Sequence, residues 1–154
     1  FKTAMKVLDR GRLHISALSV GTAKRLIDES LAYSSQRKQF GTEIANFQLV
    51  QAMLADSQTK YYAGKCMVEE TARSYDAGQP VSMNAASCKL FCTEMVGRVA
   101  DRAVQIHGGA GYISEYCVER FYRDVRLFRL YEGTSQIQQL VIAKQMLRNA
   151  TGSL

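Results

Sequence analysis

Proline, tryptophan and histidine are scarce in this 154-residue chain, which has one proline, no tryptophan and two histidines. Proline breaks helix interiors, so a chain with only Pro80 can form long uninterrupted helices. The two histidines, His14 and His107, have no glutamate three residues before them, so the paired Glu-x-x-His motifs of di-iron bundles are absent. We therefore expect an all-α protein without a metal site.

Cysteine pairs and long apolar runs are also missing. The four cysteines form no C-x-x-C motif, which argues against a zinc site or a disulfide framework and favours a reducing compartment. Cys88 and Cys92 stand one helical turn apart among apolar residues, which favours core filling over reactive thiols. No apolar run approaches the roughly 20 residues that span a bilayer, so we expect a soluble protein without a membrane partner.

The formal net charge is +6, which is compatible with nucleic acid, an anionic surface or a phosphate-rich small ligand. The sequence contains no recognisable nucleic-acid-binding motif, and we do not expect that partner. Acidic residues interrupt the densest basic stretch, so a solvated or ion-paired helix face is the favoured interpretation. That stretch comprises Arg120, Arg123, Arg126 and Arg129, with Glu119 and Asp124 among them.

Apolar residues recur every three or four positions along three long stretches, as they do on one face of a helix. The first runs from Val7 to about Ser35 and includes Val20, Ala23, Ile27 and Leu31. The second extends from Phe47 until Gly78 and Pro80 stop it. The third begins at Ala85 and ends at the cluster Gly108-Gly109-Ala110-Gly111, where glycine permits positive φ and close backbone approach.

Two shorter helices are predicted near the C-terminal end. One lies between Ser114 and Tyr131, and the last follows Gly133 with Thr134 or Ser135 as its cap. On the last helix we expect inward-facing apolar residues at Ile137, Leu140, Val141 and Leu147. Long helices with short links pack best antiparallel, so the prediction is an up-down bundle of about five helices.

Two segments could carry chemistry. In the segment 131–136, Glu132 comes immediately before a glycine and two hydroxyl residues that open a helix, although spacing alone also fits a surface carboxylate near a helix start. The glycine cluster at 108–111 follows a helix and not a strand, so it is neither a Rossmann fingerprint nor a P-loop. His107, beside that cluster, fits a ligand contact or a helix cap equally well.

Four segments, taken together and in order, resemble the signatures of acyl-CoA dehydrogenases: Leu8-Asp9-Arg10-Gly11-Arg12, Arg37-Lys38-Gln39-Phe40-Gly41, Gln105-Ile106-His107-Gly108-Gly109-Ala110-Gly111-Tyr112 and Tyr131-Glu132-Gly133-Thr134-Ser135-Gln136-Ile137. The resemblance covers essentially the whole chain. It implies that residues 1–154 form a single domain, the C-terminal helical bundle of the family. The N-terminal helical domain and the middle β-barrel domain of the family are then expected to be absent from this chain.

The resemblance implies oxidation of an acyl-CoA thioester to the trans-2-enoyl-CoA, with Glu132 removing the α-proton and FAD taking the hydride. The backbone N–H of Glu132 would polarise the thioester oxygen, and Gly133 would leave room for the thioester. Arg12 would face a CoA phosphate or form an internal ion pair, and Gly11 would leave space near the carboxylate. The residues implied in substrate binding are Asp9, Arg10, Gly11, Arg12, Tyr131 and Gly133.

The resemblance also implies a flavin site shared across a dimer. Thr134, Ser135 and Gln136 match flavin-contacting residues of the family. Residues that would contact the flavin of the neighbouring subunit are Arg37, Phe40, Gln48, Gln105, Ile106, His107, Gly108 and Gly109. The expected assembly is a homodimer or homotetramer with electron-transferring flavoprotein as acceptor. We expect it in the mitochondrial matrix if the source is eukaryotic and in the cytoplasm if bacterial.

Two kinds of alternative remain at this point, a related flavoenzyme and a noncatalytic protein. An acyl-CoA oxidase or a monooxygenase on the same fold would differ in how the reduced flavin is reoxidised. A noncatalytic bundle could keep the fold for a role in protein assembly.

One departure from the family pattern is Gln139, where many relatives carry arginine. The isolated chain is expected to fold and self-associate, but to bind FAD weakly or not at all and to be inactive.

Overall fold

A computed structural model describes residues 2–152 of the chain, with side chains from Val7 onward. The helices are α1 (Lys2–Gln36), α2 (Gln48–Asp76), α3 (Ser82–His107), α4 (Val118–Phe128) and α5 (Ser135–Thr151). The predicted all-α bundle of about five helices is confirmed. None of the helices within residues 2–152 is long and apolar enough to cross a lipid bilayer.

Helix α3 is the centre of the bundle, because α1, α2, α4 and α5 all pack against it. Its sequence places small and apolar residues on almost every side, so close approach of four neighbours is possible. Met95, Val96 and Val99 of α3 join Leu26 of α1 and Val125 of α4 in the main core cluster. Cys88 and Cys92 are buried as predicted, and burial raises the pKa of the Cys92 thiol to about 12.

A small hairpin between α1 and α2 was not predicted. Strands β1 (Lys38–Gln39) and β2 (Thr42–Glu43) pair antiparallel around a turn formed by Phe40 and Gly41, whose φ angles are 51° and 81°. Two successive positive φ angles suit a two-residue hairpin turn. Such turns usually carry Asn-Gly or Asp-Gly, so Phe-Gly gave no turn signal in the sequence.

The glycine cluster after α3 forms a 3₁₀ helix, Gly108–Tyr112, which begins at a positive φ of 59°. A Cβ on Gly111 would lie 2.7 Å from the carbonyl oxygen of Val104, so the predicted close backbone approach is confirmed there. The shorter helix predicted between Ser114 and Tyr131 is confirmed as α4, which begins at Val118 after a series of turns.

The predicted inward face of α5 was also wrong. Ile137, Leu140 and Leu147 are 45%, 66% and 67% exposed, and Val141 is half-buried. The residues of α5 that are buried are Ser135 and Gln138, which both bind polar groups of the bundle. Polar contacts, and not the apolar residues, therefore set the rotation of α5 on α3. Leu31 of α1, assigned to the apolar stripe of that helix, is likewise 46% exposed.

Candidate active site at the Glu132–Gly133 turn

Glu132 and Gly133 form a left-handed turn between α4 and α5, which we call the Glu132–Gly133 turn. Their φ angles are 55° and 88°. Glutamate rarely adopts a positive φ, because its Cβ then crowds the backbone, and such strain costs about 1–3 kcal/mol and concentrates at functional sites. Other contacts must therefore hold the turn in this conformation.

Two buried side chains make those contacts. Lys89 of α3 donates from Nζ to the carbonyl oxygen of Gly133 at 2.7 Å. Gln138 of α5 donates from Nε2 to the carbonyl oxygens of Glu132 and Gly133, at 3.1 Å and 2.9 Å. Both side chains are completely buried. Glycine is favoured at 133 because other residues rarely adopt its φ of 88°, and a Cβ there would also lie 2.7 Å from Nε2 of Gln138.

The carboxylate of Glu132 lies against Gly11 of α1. A Cβ on Gly11 would lie 2.4 Å from Oε2 and 2.9 Å from Cδ of Glu132, which is closer than real contacts allow. The prediction that Gly11 leaves space near this carboxylate is confirmed. Two segments that are far apart in the sequence thus meet at a single half-buried acid.

The remaining residues of the 9–12 segment divide between the inside and the outside of α1. Arg12 is 3% exposed and forms an ion pair with Asp9, with Nη1 and Oδ1 3.0 Å apart. Ser82 also donates to Asp9 Oδ1, at 3.2 Å, and Asp9 borders a cleft of about 520 Å³. Of the two predicted roles for Arg12, the internal ion pair is the one observed. Arg10 is exposed to solvent.

The start of α5 is fixed by hydroxyl groups. Thr134 is the cap, and its Oγ1 accepts a hydrogen bond from the N–H of Ile137 at 3.4 Å. Ser135 is buried and donates to Oε1 of Glu94 at 2.7 Å, so its hydroxyl is engaged within the chain. Gln136 is exposed in the first turn of the helix.

Tyr131 precedes the turn and is half-buried. Its ring stacks on Phe128, with ring centroids 6.0 Å apart. Burial, with a smaller contribution from the negative charge of Glu132, raises the pKa of the Tyr131 hydroxyl. The phenol is therefore a neutral hydrogen-bonding group beside the carboxylate.

Lys89 was missed by sequence reasoning. It stands within the predicted apolar stripe of α3, next to Cys88, and a lysine there would ordinarily be assigned to the surface. Burial lowers the pKa of the Lys89 ammonium, Arg12 lowers it further, and the carboxylates of Glu94 and Glu132 act in the opposite sense. The sequence did contain one signal for a buried lysine, which is the position of Lys89 within the apolar stripe of a predicted helix.

A second group of predicted site residues meets at the C-terminal end of α3. Arg37, Ile106, His107, Gly108 and Gly109 line a common cleft of about 420 Å³. No described atom lies within 4 Å of the positions that a Cβ on Gly108 or Gly109 would occupy, so this backbone faces open space. Three other residues predicted to contact the same flavin, Phe40, Gln48 and Gln105, are exposed but do not line the cleft.

His107 forms the buried wall of this cleft. Its Nδ1 lies 2.7 Å from the carbonyl oxygen of Ala103 in the last turn of α3, and its ring stacks on Tyr33 with centroids 4.2 Å apart. Burial lowers the pKa of the His107 imidazole. The ring therefore serves the helix end and also borders the cleft, and the two predicted roles are compatible.

The predicted basic face of α4 is ion-paired in part, as expected. Arg123 binds Glu119 at 3.0 Å, and Arg129 lies 3.4 Å from Glu94. With Arg98, Arg102 and Arg126 these arginines border a cleft of about 740 Å³ that contains none of the predicted site residues. Within residues 7–152, no group of three or more His, Cys, Asp or Glu side chains is arranged to bind a metal ion.

Residues 1–147 match the family model of the acyl-CoA dehydrogenase C-terminal domain. The chain belongs to the acyl-CoA dehydrogenase family. The fold agrees with that of butyryl-CoA dehydrogenase from Megasphaera elsdenii, with a TM-score of 0.94 and 37% identity over 96% of this chain and 39% of that one.

Two relatives of this acyl-CoA dehydrogenase domain are named as reductases. The chain is 46% identical over 148 residues to the caffeyl-CoA reductase-Etf complex subunit CarC of Acetobacterium woodii. It is 45% identical over the same length to the 3-(aryl)acrylate reductase of Clostridium sporogenes. Each alignment covers 96% of this chain and 39% of the relative. The chain thus spans about two-fifths of the length of these relatives.

Proposed function

We propose that this domain supplies the catalytic base of a flavin-dependent acyl-CoA dehydrogenase, and that Glu132 is that base. The observation that carries the proposal is the position of the Glu132 carboxylate. It lies against the one helical glycine that leaves room for it, at the end of a turn fixed by buried side chains. A carboxylate held in one place can meet a substrate proton without first paying for its own ordering.

The reaction needs a second element besides the base. An α-proton beside a thioester is too weakly acidic for a carboxylate unless the negative charge that develops on the thioester oxygen is stabilised. In our proposal the backbone N–H of Glu132 donates a hydrogen bond to that oxygen. Glu132 takes the α-proton, and the hydride on Cβ needs an acceptor, which the bound cofactor would supply. Gly133, which has no side chain, leaves space for the thioester beside the turn.

The second group of residues has the chemistry required to bind FAD. Arg37 offers a guanidinium, and Gly108 and Gly109 offer a backbone free of side chains, at one open cleft. Phe40 is 94% exposed at a positive φ, a costly arrangement that a flat aromatic ligand could stabilise by stacking. Bound FAD would supply the hydride acceptor. Thr134, Ser135 and Gln136 would contact a flavin through the start of α5.

These two groups lie towards different ends of α3, which favours a flavin site shared between subunits of a homodimer or homotetramer. In that arrangement the 37–48 and 105–109 segments of one subunit contact the flavin beside Glu132 of another. Electron-transferring flavoprotein is the proposed electron partner, supported by a relative that is a subunit of a reductase-Etf complex.

A second candidate function is the reverse reaction, reduction of a 2-enoyl-CoA. It is favoured by the two relatives named as reductases of caffeyl-CoA and of 3-(aryl)acrylate, at 46% and 45% identity. In that direction the Glu132 carboxyl group donates a proton to Cα. The same turn would serve both directions, since the forward and reverse steps pass through one transition state.

The full-length protein and its Glu132→Gln variant test the proposal. Each is mixed anaerobically with a panel of saturated acyl-CoA thioesters, and flavin absorbance is followed. We expect at least one thioester to bleach the wild-type flavin, and the variant to bind that thioester without bleaching. A wild type that holds flavin but is reduced by no thioester would exclude dehydrogenation.

The opposite direction is tested with the same two proteins after chemical reduction of the flavin. Addition of cinnamoyl-CoA or crotonyl-CoA should restore flavin absorbance in the wild type only. If the enoyl thioesters reoxidise the flavin while no saturated thioester bleaches it, the reductase function takes first place. If neither series reacts, the domain serves a noncatalytic role.

A further inference from the structure

Lys89 is a charged residue that the proposed mechanism does not use. Its side chain is completely buried in α3, at the centre of the bundle. A buried ammonium is costly even after structural relaxation, and an apolar residue of similar length would fill the same space at lower cost. The hydrogen-bond acceptor of Lys89 is the carbonyl oxygen of Gly133, at 2.7 Å, and not a carboxylate.

Gln138 approaches the same backbone from α5. It donates to the carbonyl oxygens of both Glu132 and Gly133, and it is also completely buried. The two peptide planes that follow Glu132 are therefore held from two different helices. Without these bonds Glu132 could relax from its φ of 55° to a negative value. That relaxation would move the Glu132 side chain away from Gly11.

Charged residues near Lys89 act on its ammonium, and one of them belongs to the turn. Glu94 and Glu132 stabilise its ammonium, whereas Arg12 opposes it. Glu94 in turn binds Ser135 and Arg129, at 2.7 Å and 3.4 Å, so the residues on both sides of the turn are linked to one polar network. The hydrogen bonds of Lys89 and Gln138 end on the turn itself, and those of Glu94 join the residues on either side of it.

We propose that Lys89, together with Gln138, is a positioning residue that holds the Glu132–Gly133 turn left-handed and so keeps the Glu132 carboxylate against Gly11. The proposal rests on the proposed function of Glu132 as the base. Lys89 acts through the backbone and has no part in the transfer of the proton. Its removal should therefore affect the rate of the chemical step more than the binding of substrate or the stability of the fold.

The test is Lys89→Met in the full-length protein, with Lys65→Met as the matched control. Lys65 is exposed and pairs only with Glu69, 3.6 Å away, which contributes little. At saturating thioester, we expect the rate of flavin reduction in Lys89→Met to fall by about 10- to 100-fold. The thioester dissociation constant should change less than about threefold, with flavin content unchanged. The melting temperature should stay level or rise, because methionine removes a buried charge.

Gln138→Leu is the second variant and should lower the same rate with the same separation from binding. A wild-type rate in Lys89→Met would overturn the proposal. If Lys89→Met does not fold, a wild-type rate in Gln138→Leu would overturn it instead. Both variants could instead lose flavin and melt at a lower temperature. If those losses account for the whole loss of rate in both variants, Lys89 and Gln138 have a merely structural role. Failure of the proposed function is seen separately, because the wild type itself would then not react.

Discussion

Around the Glu132–Gly133 turn the groups that fix the backbone are buried within this one chain, whereas around Arg37 and Gly108–Gly109 the predicted binding groups face outward. Lys89 and Gln138 are completely buried and bind the turn directly. Phe40, by contrast, is 94% exposed at the tip of a hairpin. The first region is organised by the bundle itself, and the second offers a surface that another molecule can complete.

This difference separates two kinds of variant. In the first region, a substitution changes where the base stands, so it should act on the rate of the chemical step. In the second region, a substitution removes a contact to something outside the chain, so it should act on affinity or assembly.

With Glu132 itself unchanged, the largest effect is expected from Gly11→Ala, with Gly21→Ala as its control on the same helix. Alanine stabilises a helix by roughly 1 kcal/mol relative to glycine, so both variants should be at least as stable as the wild type. Only at Gly11 does the new Cβ meet the Glu132 carboxylate; around Gly21 no described atom lies within 4 Å. We expect flavin reduction to slow by roughly 10- to 100-fold in Gly11→Ala alone. Equal rates in the two variants would contradict the position of the carboxylate.

A smaller effect is expected from Arg37→Gln, measured as the FAD dissociation constant of the full-length protein. Loss of a charged hydrogen bond to the cofactor should weaken FAD binding about tenfold. The rate of flavin reduction in the loaded enzyme should change little. Arg73→Gln is the control, because Arg73 is an exposed arginine that pairs with Glu70. Unchanged FAD affinity in Arg37→Gln would remove this arginine from the cofactor site.

The smallest effect concerns the wall of the second cleft. Burial lowers the pKa of His107 below the value of about 6.5 that it has in the unfolded chain, so the unfolded state binds the proton more readily. Stability should therefore fall as the pH decreases through and below 6.5. Urea unfolding of the 154-residue chain at pH 7.5 and pH 5 should show this slope.

His107→Phe should flatten that slope while keeping the stack on Tyr33. His14→Phe serves as control, because His14 is exposed. If the slope persists in His107→Phe but disappears in His14→Phe, His14 and not His107 causes the pH dependence, which would contradict the prediction. We do not expect either substitution to change the rate of flavin reduction.

The sequence predicted the helices well because their apolar spacing and their glycine ends are local signals. Gly78 and Pro80 end α2, and the glycine cluster ends α3, as predicted. The errors on α5 have a physical cause. Ser135 and Gln138 face the core because Glu94 and the turn carbonyls lie there, and a preference for apolar burial cannot anticipate such partners.

The site was only partly accessible from the sequence. Glu132, Gly133 and Gly11 could be assigned from motifs, and the structure adds that Glu132 and Gly11 touch. Lys89 could not be assigned, because a lysine inside an apolar stripe is identified as buried only when its partner is known. The Phe40–Gly41 turn was missed because Phe-Gly is not one of the usual dipeptides of a two-residue hairpin turn.

The central claim is that Glu132 removes the α-proton from a position fixed by the chain. Its most direct test is deuterium exchange at the α-carbon of an acyl-CoA analogue with sulfur in place of the β-carbon, which cannot lose a hydride. In D₂O the full-length wild type should exchange the α-hydrogens, and Glu132→Gln should do so at least about 100-fold more slowly. Exchange at the same rate in both proteins would contradict the assignment of Glu132 as the base.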